Sequence, residues 1–428
     1  MNVQRISDGL FVLQNAVLEL TPPARDQSFG VGSVHQAQND MFPHVRWGAG
    51  DDEPNFINKL IEKNNQVRGQ LEALRDIIYG TGIGFFKRTI TEGKVSLEPW
   101  FDEQVEDWAY ETDLNDYIVT SINQMTHTAN RFTRWVWDIQ KAWYRLDVSD
   151  GFMTRVGRPG PSGIFEYHVN PYFGERGLYR PNDTQRLPMM QPHNHEANIA
   201  RLVTMRQSKV KIPGNPYYSY PAWWCARSWI ELANLIPIFH YNGIKNGYNI
   251  KYLIRMPMDY FDVEGKKQLD EKAVKGKWKD FSEKLNSWMA GEKQVNKTML
   301  IKYLRGGDGK MMDNVDVVPL KNEMSDSAYS QVWEMANISI ANSMGILPTL
   351  AGVNPGKGND SGSQIRVMAE FQQANRTAIV RNAILEDVRH CLVAMGKRDI
   401  IPMFKDVSLT TLDAAPTGKA AVVNHGSV

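Results

Sequence analysis

The chain has 428 residues, which at roughly 150 per domain sets an expectation of two or three domains. Lys and Arg total 49 against 48 Asp and Glu, a formal net charge of +1, so global charge does not advertise a nucleic-acid or membrane-binding protein. Apolar residues at 42% and charged residues at 23% exclude a disordered chain, and two cysteines without a CxxC pair argue against a disulfide framework or a structural zinc module. No basic start leads into an apolar core and no apolar run reaches about 18 residues, so the expectation is a soluble protein made in the cytosol, without a membrane partner.

In chain order, residues 1–55 are irregular and rich in Gly and Pro, and read as an arm. Ile57, Leu60, Asn64, Val67, Leu71, Leu74 and Ile78 then fall on one stripe, which predicts an amphipathic helix stopped by Gly80. Gly82–Ile90 and Lys94–Pro99 read as a hairpin turning at Glu92-Gly93. Leu114, Ile118, Ile122 and Met125 mark a second helix. The aromatic run Phe132, Trp135, Trp137, Trp143, Tyr144 is open between helix and strand. Residues 150–198 read as long loops with one strand at Ile164–Val169.

The second half is more regular. A helix is expected over Trp224–Asn246, kinked at Pro237 and stopped at Gly247, followed by a strand over Asn249–Met256. Leu269 to Trp288 carries a helical stripe, and Thr298–Leu304 and Val315–Leu320 read as strands around Gly306, Gly307 and Gly309, giving a β-α-β-β module. Ser325 or Asp326 caps a helix that reaches Met344 and stops at Gly345. A Gly- and Pro-rich loop, Leu347–Ser363, leads to a single helix over Gln364–Met395, whose stripe of Phe371, Ala374, Ala378, Leu385, Val388, Leu392 and Met395 is interrupted by Arg381.

Candidate chemistry is sparse. Gly80-Thr81-Gly82-Ile83-Gly84 has the wrong spacing for a dinucleotide loop and follows a helix, so a helix stop and strand start accounts for it better. Gly352-Val353-Asn354-Pro355-Gly356-Lys357-Gly358 precedes a helix as a phosphate loop does, but Gly358 stands where Ser or Thr should hold magnesium; the alternative is a loop whose glycines give it freedom. His193, His195 and Glu196 have metal-ligand character in a Pro-rich loop, against a plainer reading as exposed loop side chains. Cys225 and Cys391 read as small core residues. Lys266, Lys267, Lys272, Lys275, Lys277 and Lys279 make one helix basic, with Asp270, Glu271, Asp280 and Glu283 interleaved; a solvated face competes with a salt-sensitive docking surface. No cofactor is implied.

Ile338-Ser339-Ile340-Ala341-Asn342-Ser343-Met344-Gly345-Ile346-Leu347-Pro348-Thr349-Leu350-Ala351-Gly352 resembles a segment of tailed-bacteriophage portal proteins, the HK97-like head–tail connector family. Tyr79-Gly80-Thr81-Gly82-Ile83-Gly84-Phe85-Phe86 similarly resembles the start of the portal wing, and the order of elements over residues 56–395 agrees. Ile346-Leu347-Pro348 departs from the Val-Pro-Pro of many portals. The resemblance implies an α+β fold divided as follows: an arm (1–55), a first wing part (56–222), a stem helix (223–248), an α/β clip (249–322), a returning stem helix (323–346), a tunnel loop (347–363), a long wing helix (364–397) and a tail or small crown (398–428).

It further implies a non-enzymatic ring of about twelve copies, closed by heterologous contacts, at one capsid vertex of a virion assembled in the host cytoplasm. Double-stranded DNA would pass through the channel, in packaging and in ejection, without sequence specificity. The clip would dock the terminase large subunit and later a head-completion adaptor; major capsid protein and scaffold would be further partners. In the tunnel loop only Lys357 and Asp360 are charged, and a near-neutral lining favours sliding over gripping. Asn354, Lys357, Asn359 and Asp360 are therefore the expected DNA-facing residues, and Lys275, Lys277 and Lys279 the expected docking residues. The alternatives are a metal-dependent hydrolase built on His193, His195 and Glu196, or another ring-forming head–tail adaptor.

Overall fold

The computed structural model describes residues 4–7, 10–12, 42–91, 94–161, 163–175, 177–246, 250–257, 260–264, 267–289, 297–303, 316–319, 326–353 and 362–407. The chain divides into two compact units, one of Met1–Asp26 with Asn234–Trp333, the other of Gln27–Ala233 with Glu334–Val428.

In chain order the elements begin with a short hairpin, β1 (Gln4–Ser7) and β2 (Leu10–Val12). Two helices follow, α1 (Glu53–Glu62) and α2 (Asn65–Tyr79), then β3 (Ile83–Thr91) and β4 (Lys94–Pro99), and helices α3 (Glu103–Glu111) and α4 (Leu114–Thr128). Next come β5 (Asn130–Asp138), β6 (Trp143–Ser149), β7 (Thr154–Val156), β8 (Glu166–Val169), β9 (Gln185–Pro188), α5 (His195–Arg201) and β10 (Val203–Lys209). Helix α6 (Arg227–Asn246) leads to β11 (Ile250–Pro257), β12 (Val263–Glu264), β13 (Lys267–Gln268), α7 (Glu271–Met289), β14 (Lys297–Tyr303) and β15 (Asp316–Pro319). The chain then forms α8 (Asp326–Met344), α9 (Gly362–Phe371), a π turn (Gln372–Arg376), α10 (Ala378–Ala394) and β16 (Ile400–Phe404).

The stripe from Ile57 to Ile78 is two helices rather than one. Asn64, the polar member of the stripe, is 3% exposed and caps α2: its Oδ1 accepts from the N–H groups of Gln66 at 3.0 Å and Val67 at 2.9 Å. A side chain that satisfies two orphan donors at a helix start ends the preceding helix there. Within the stretch read as an arm, Phe42–Asp52 joins the larger unit: Val45 and Trp47 are buried, and Trp47 stacks on Tyr218 at 4.4 Å and 9°.

The aromatic run is strand. β5 is the centre of an antiparallel sheet ordered β10-β5-β6, with Trp135 opposite Leu146 and Thr204. Both its faces are covered: Trp135, Tyr144 and Leu146 belong to one apolar cluster, Phe132 and Met205 to another. Burial on both sides removes the polar alternation that identifies a half-exposed strand. Residues 150–198 hold more order than expected, with β7, β8 and β9 forming their own sheet. The hairpin β3–β4 pairs as expected, and β16 adds to the other side of β3, giving the order β16-β3-β4. Residues 400–404, assigned from sequence to a tail or crown, are thus an edge strand of this sheet, and Pro402 fits an edge because it has no N–H to give to a ladder.

In the smaller unit the β-α-β-β reading holds. β11 lies between β14, parallel, and β15, antiparallel, and α7 provides the crossover that a parallel pair needs. Phe239 of α6 stacks on Tyr329 of α8 at 5.0 Å in the same unit. The turns expected at Glu92-Gly93 and Gly306 to Gly309, and the stop at Gly247, lie outside the described residues.

Candidate functional site

The loop singled out from the sequence begins where α8 ends. Gly345 takes φ 75°, its N–H donates to Asn342 O at 3.1 Å, and the Ile346 N–H donates to Ala341 O at 3.2 Å. This paired closure on a left-handed glycine satisfies carbonyls that a helix end leaves open. Ile346, 2% exposed, then enters an apolar cluster with Ile57, Leu71, Trp223, Ile230 and Ile340. Pro348–Ala351 makes one tight 3-10 turn ended by Gly352 at φ 75°, and the Val353 N–H returns to Pro348 O at 2.9 Å. Residues 346–353 are therefore held to a packed core. Asn354, Lys357, Asn359 and Asp360 lie outside the described residues. A helix and a 3-10 turn precede the glycines, where a nucleotide-binding loop requires a strand.

The far side of the loop is set by the π turn. The long helix expected over Gln364–Met395 is interrupted at Gln372–Arg376. A π turn carries one extra residue, so two neighbours can both point inward. Gln372 and Gln373 do so, at 0% and 6% exposure. The Gln372 side-chain amide donates to Gly345 O at 2.8 Å, tying the two ends of the loop together, and Gln373 Oε1 accepts from the Val407 N–H at 3.0 Å. Thr377 Oγ1 donates back to Gln373 O at 2.5 Å.

Beyond the π turn, Arg381 explains the gap in the heptad stripe. Its guanidinium donates to Ile78 O at 2.9 Å and Ile77 O at 3.2 Å, capping the end of α2, and pairs with Asp406. Gly80 follows at φ 60°, and a Cβ there would meet Lys405 O at 2.4 Å. The Thr81 N–H donates to that same oxygen at 3.0 Å. The Gly-rich stretch after Tyr79 is thus a helix stop against a neighbouring strand.

Six residues further along α10, Asp387 is 0% exposed and accepts from four donors: Arg131 at 2.6 Å, Arg206 at 2.7 Å, Thr133 at 2.9 Å and Tyr117 at 3.0 Å. Burial pushes the Tyr117 phenol well above its ordinary value, so it serves as a donor. A second buried cluster joins Asp51 to the Arg155 Nε at 2.5 Å, His44 Nε2 at 2.9 Å and the Trp47 N–H at 2.8 Å. Burial raises the Asp51 carboxyl, but the His44 hydrogen bond and the Arg155 charge outweigh it and hold the group below the usual carboxylate range. Both clusters fasten helix or loop to sheet. The sequence reading did not find them, because their members stand far apart in the chain.

The remaining candidates are placed plainly. On α7, Lys275 pairs with Glu271 at 2.7 Å and Lys279 with Glu283 at 3.9 Å, each one helical turn away, as a solvated face requires. Lys277 is half-buried on the same helix and is also engaged. His193 is exposed and lies edge-on to His390 at 6.4 Å, while His195 and Glu196 open α5. Among the described residues no group of three or more His, Cys, Asp and Glu side chains could hold a metal ion. Cys391 is a core residue whose thiol burial pushes well up, whereas Cys225, expected in the core, is exposed because it falls on the outer side of the 3-10 turn before α6. No helix among the described residues is long and apolar enough to cross a membrane.

No family model and no curated protein matches the sequence. Solved structures do. A chain from the neck of an empty gene transfer agent particle, computed with C6 symmetry, matches at TM-score 0.53 and 14% identity over 89% of each chain. A chain from the neck of the native particle, computed with C12 symmetry, matches at TM-score 0.49 and 15% identity over 88% of this chain and 89% of that one. An HK97-family phage portal protein from Corynebacterium diphtheriae matches at TM-score 0.38 and 7% identity over 81% and 94%. The chain therefore has an α+β fold, shared over 89% of each chain with a chain of a particle neck.

Proposed function

We propose that the chain is a portal subunit, or head–tail connector: a non-enzymatic wall segment of a ring at one capsid vertex of a virion, through which double-stranded DNA is packaged and ejected. The observation that carries this is the fold match over 89% of both chains to a component of a particle neck computed with cyclic symmetry. A cyclic arrangement needs two different faces of each copy to meet, and the resemblance in sequence suggests closure at about twelve copies.

In this reading the loop tied at its base by Gln372 faces the channel, with Asn354, Lys357, Asn359 and Asp360 near DNA. The unit carrying β11, α7, β14 and β15 docks the terminase large subunit and then a head-completion adaptor, with Lys275, Lys277 and Lys279 on that surface. Because Lys275 and Lys279 already hold carboxylates, their contribution to docking is salt-sensitive and small, on the order of 1 kcal/mol or less each. The motor supplies ATP hydrolysis in trans; major capsid protein and scaffold meet the outer surface.

Electron microscopy of the purified chain tests the reading. Annular particles of a mass about twelve times that of the protomer are expected. A single-copy mass with no annulus, at concentrations where portals assemble, would remove it. Annuli that bind a pre-existing portal ring but not the motor would favour the adaptor alternative. Replacing Gly356-Lys357-Gly358 with a rigid acidic segment is expected to impair packaging and leave the ring intact.

A further inference from the structure

Segment Phe42–Asp52 runs beside the end of β7: the Val45 N–H donates to Val156 O at 2.8 Å, the Arg158 N–H donates to Pro43 O at 3.0 Å, and His44 bridges to Gly157. Residues two apart share a strand face, so His44 falls on the face of Arg155, which stands opposite His168 of β8 and, beyond it, Arg186 of β9. The two imidazole rings lie 6.1 Å apart, His168 at 0% exposure and His44 at 2%, and Phe173 and Tyr179 meet the His44 ring edge-on. A carboxylate only accepts, so each ring carries its N–H on Nε2: His44 donates to Asp51 at 2.9 Å and His168 to Glu166 at 2.8 Å. The Nδ1 of His44 accepts from the Tyr179 hydroxyl at 3.4 Å, whereas the Nδ1 of His168 is buried with no partner among the described residues. With both rings neutral the charges balance, Asp51 and Glu166 against Arg155, 2.5 Å from Asp51, and Arg186, 3.9 Å from Glu166. The other charged groups of these elements are engaged elsewhere or exposed: Arg46 donates to Ala49 O, Asp52 turns over Gly50, and Arg158, Glu175, Arg180 and Asp183 are exposed.

We infer that this face is an acid-triggered latch, in which proton uptake by His168 frees segment Phe42–Asp52 from β7. A proton on Nδ1 adds a third positive charge to a buried set that holds two negative ones, and the new N–H has no acceptor. His44 belongs to the segment, so lifting it away brings water to His168 and separates two rings that repel once both are charged. Burial holds the His168 imidazole below its ordinary value of 6.5, against the pull of Glu166. The open form therefore binds more protons than the closed one, and opening is favoured as pH falls through about 6.5. Above that value the segment stays closed, held by Asp51 on Arg155 and by Trp47 stacked on Tyr218.

Hydrogen exchange on the full chain, read by mass spectrometry at about pH 7.5 and about pH 5.5 and corrected for the intrinsic pH dependence of exchange, tests the latch. The Val45, Trp47 and Arg158 amides are bonded only while the segment is closed. One proton taken up on opening predicts that they lose protection about five- to tenfold at the lower pH, while the amides of β5 keep theirs. His168→Gln, which keeps a donor for Glu166 but takes up no proton, is expected to reduce the loss to about twofold or less. Unchanged protection at the lower pH, a loss of equal size in β5, or an undiminished loss in folded His168→Gln would each overturn the assignment. The first two comparisons need no substitution, so they decide the matter whether or not the variant folds.

Discussion

Asp387 is fully buried in the larger unit and joins four donors from three other elements. Replacing it by Leu leaves the Arg131 guanidinium buried without its counter-charge, and it leaves the Tyr117 and Thr133 hydroxyls without a common acceptor. Removing one partner of a buried ion pair costs about 3–5 kcal/mol, and unmet hydroxyls cost about 1–3 kcal/mol each where they cannot turn elsewhere. Tyr117 and Thr133 can still bond one another at 3.3 Å, and Arg206 keeps Glu386 at 2.7 Å, so the lower part of the sum applies. Asp387→Leu is expected to destabilise by about 4 kcal/mol, a fall in melting temperature on the order of 10 °C, read by tryptophan fluorescence. Arg131 Nε and Nη1 already lack partners, so Arg131→Met placed on top of Asp387→Leu should recover about 2 kcal/mol or more of the loss. A single variant within about 1 kcal/mol of the parent, or a double variant worse than both singles combined, would refute the reasoning.

Gly80→Ala is expected to cost about 1–3 kcal/mol for the backbone angle alone, with more for the contact at Lys405 O, measured by thermal melting; an unchanged melting temperature would contradict the close approach. The depressed Asp51 carboxyl contributes stability above its unfolded value of about 3.9 that is lost as pH falls through the lower folded value. The parent should therefore lose stability more steeply than Asp51→Asn below about pH 4, and parallel curves would count against the ion pair. A thiol reagent should modify Cys225 alone in the folded chain and both cysteines after unfolding; rapid reaction of Cys391 in the folded chain would contradict its burial.

Where structure is local, the sequence reading is close to the molecule. The hairpin β3–β4 and the glycine stop at Gly345 depend on residues close together in the chain, and the crossover unit β11-α7-β14-β15 is built from one continuous stretch. It fails where a polar residue sits on an apolar stripe for a reason found elsewhere. Asn64 caps a new helix, Gln372 and Gln373 are drawn inward by Gly345 and Val407, and Arg381 caps a helix formed some 300 positions earlier. The adjacent glutamines before a threonine were a visible signal of the π turn, but a heptad count passes over them. The buried pairs Arg131–Asp387 and Arg155–Asp51 left no local trace, since burial of a charge is decided by partners from distant segments.

The surplus residue in Gln372–Arg376 makes the helix unusually tolerant of being shortened at one place. Deleting a single residue there would restore an unbroken α-helix without removing a hydrogen-bonded turn, and because the π turn spreads its extra residue over one widened turn, the stretch from Gly362 to Phe371 would keep close to its present facing. The exposed side chains Val367 and Phe371 would then keep their facing, while only one glutamine could still point inward, so the bond to Gly345 or the bond to Val407 would be lost. The inward placement of two adjacent glutamines is thus encoded by chain length at one turn, independently of which side chains the upstream segment carries.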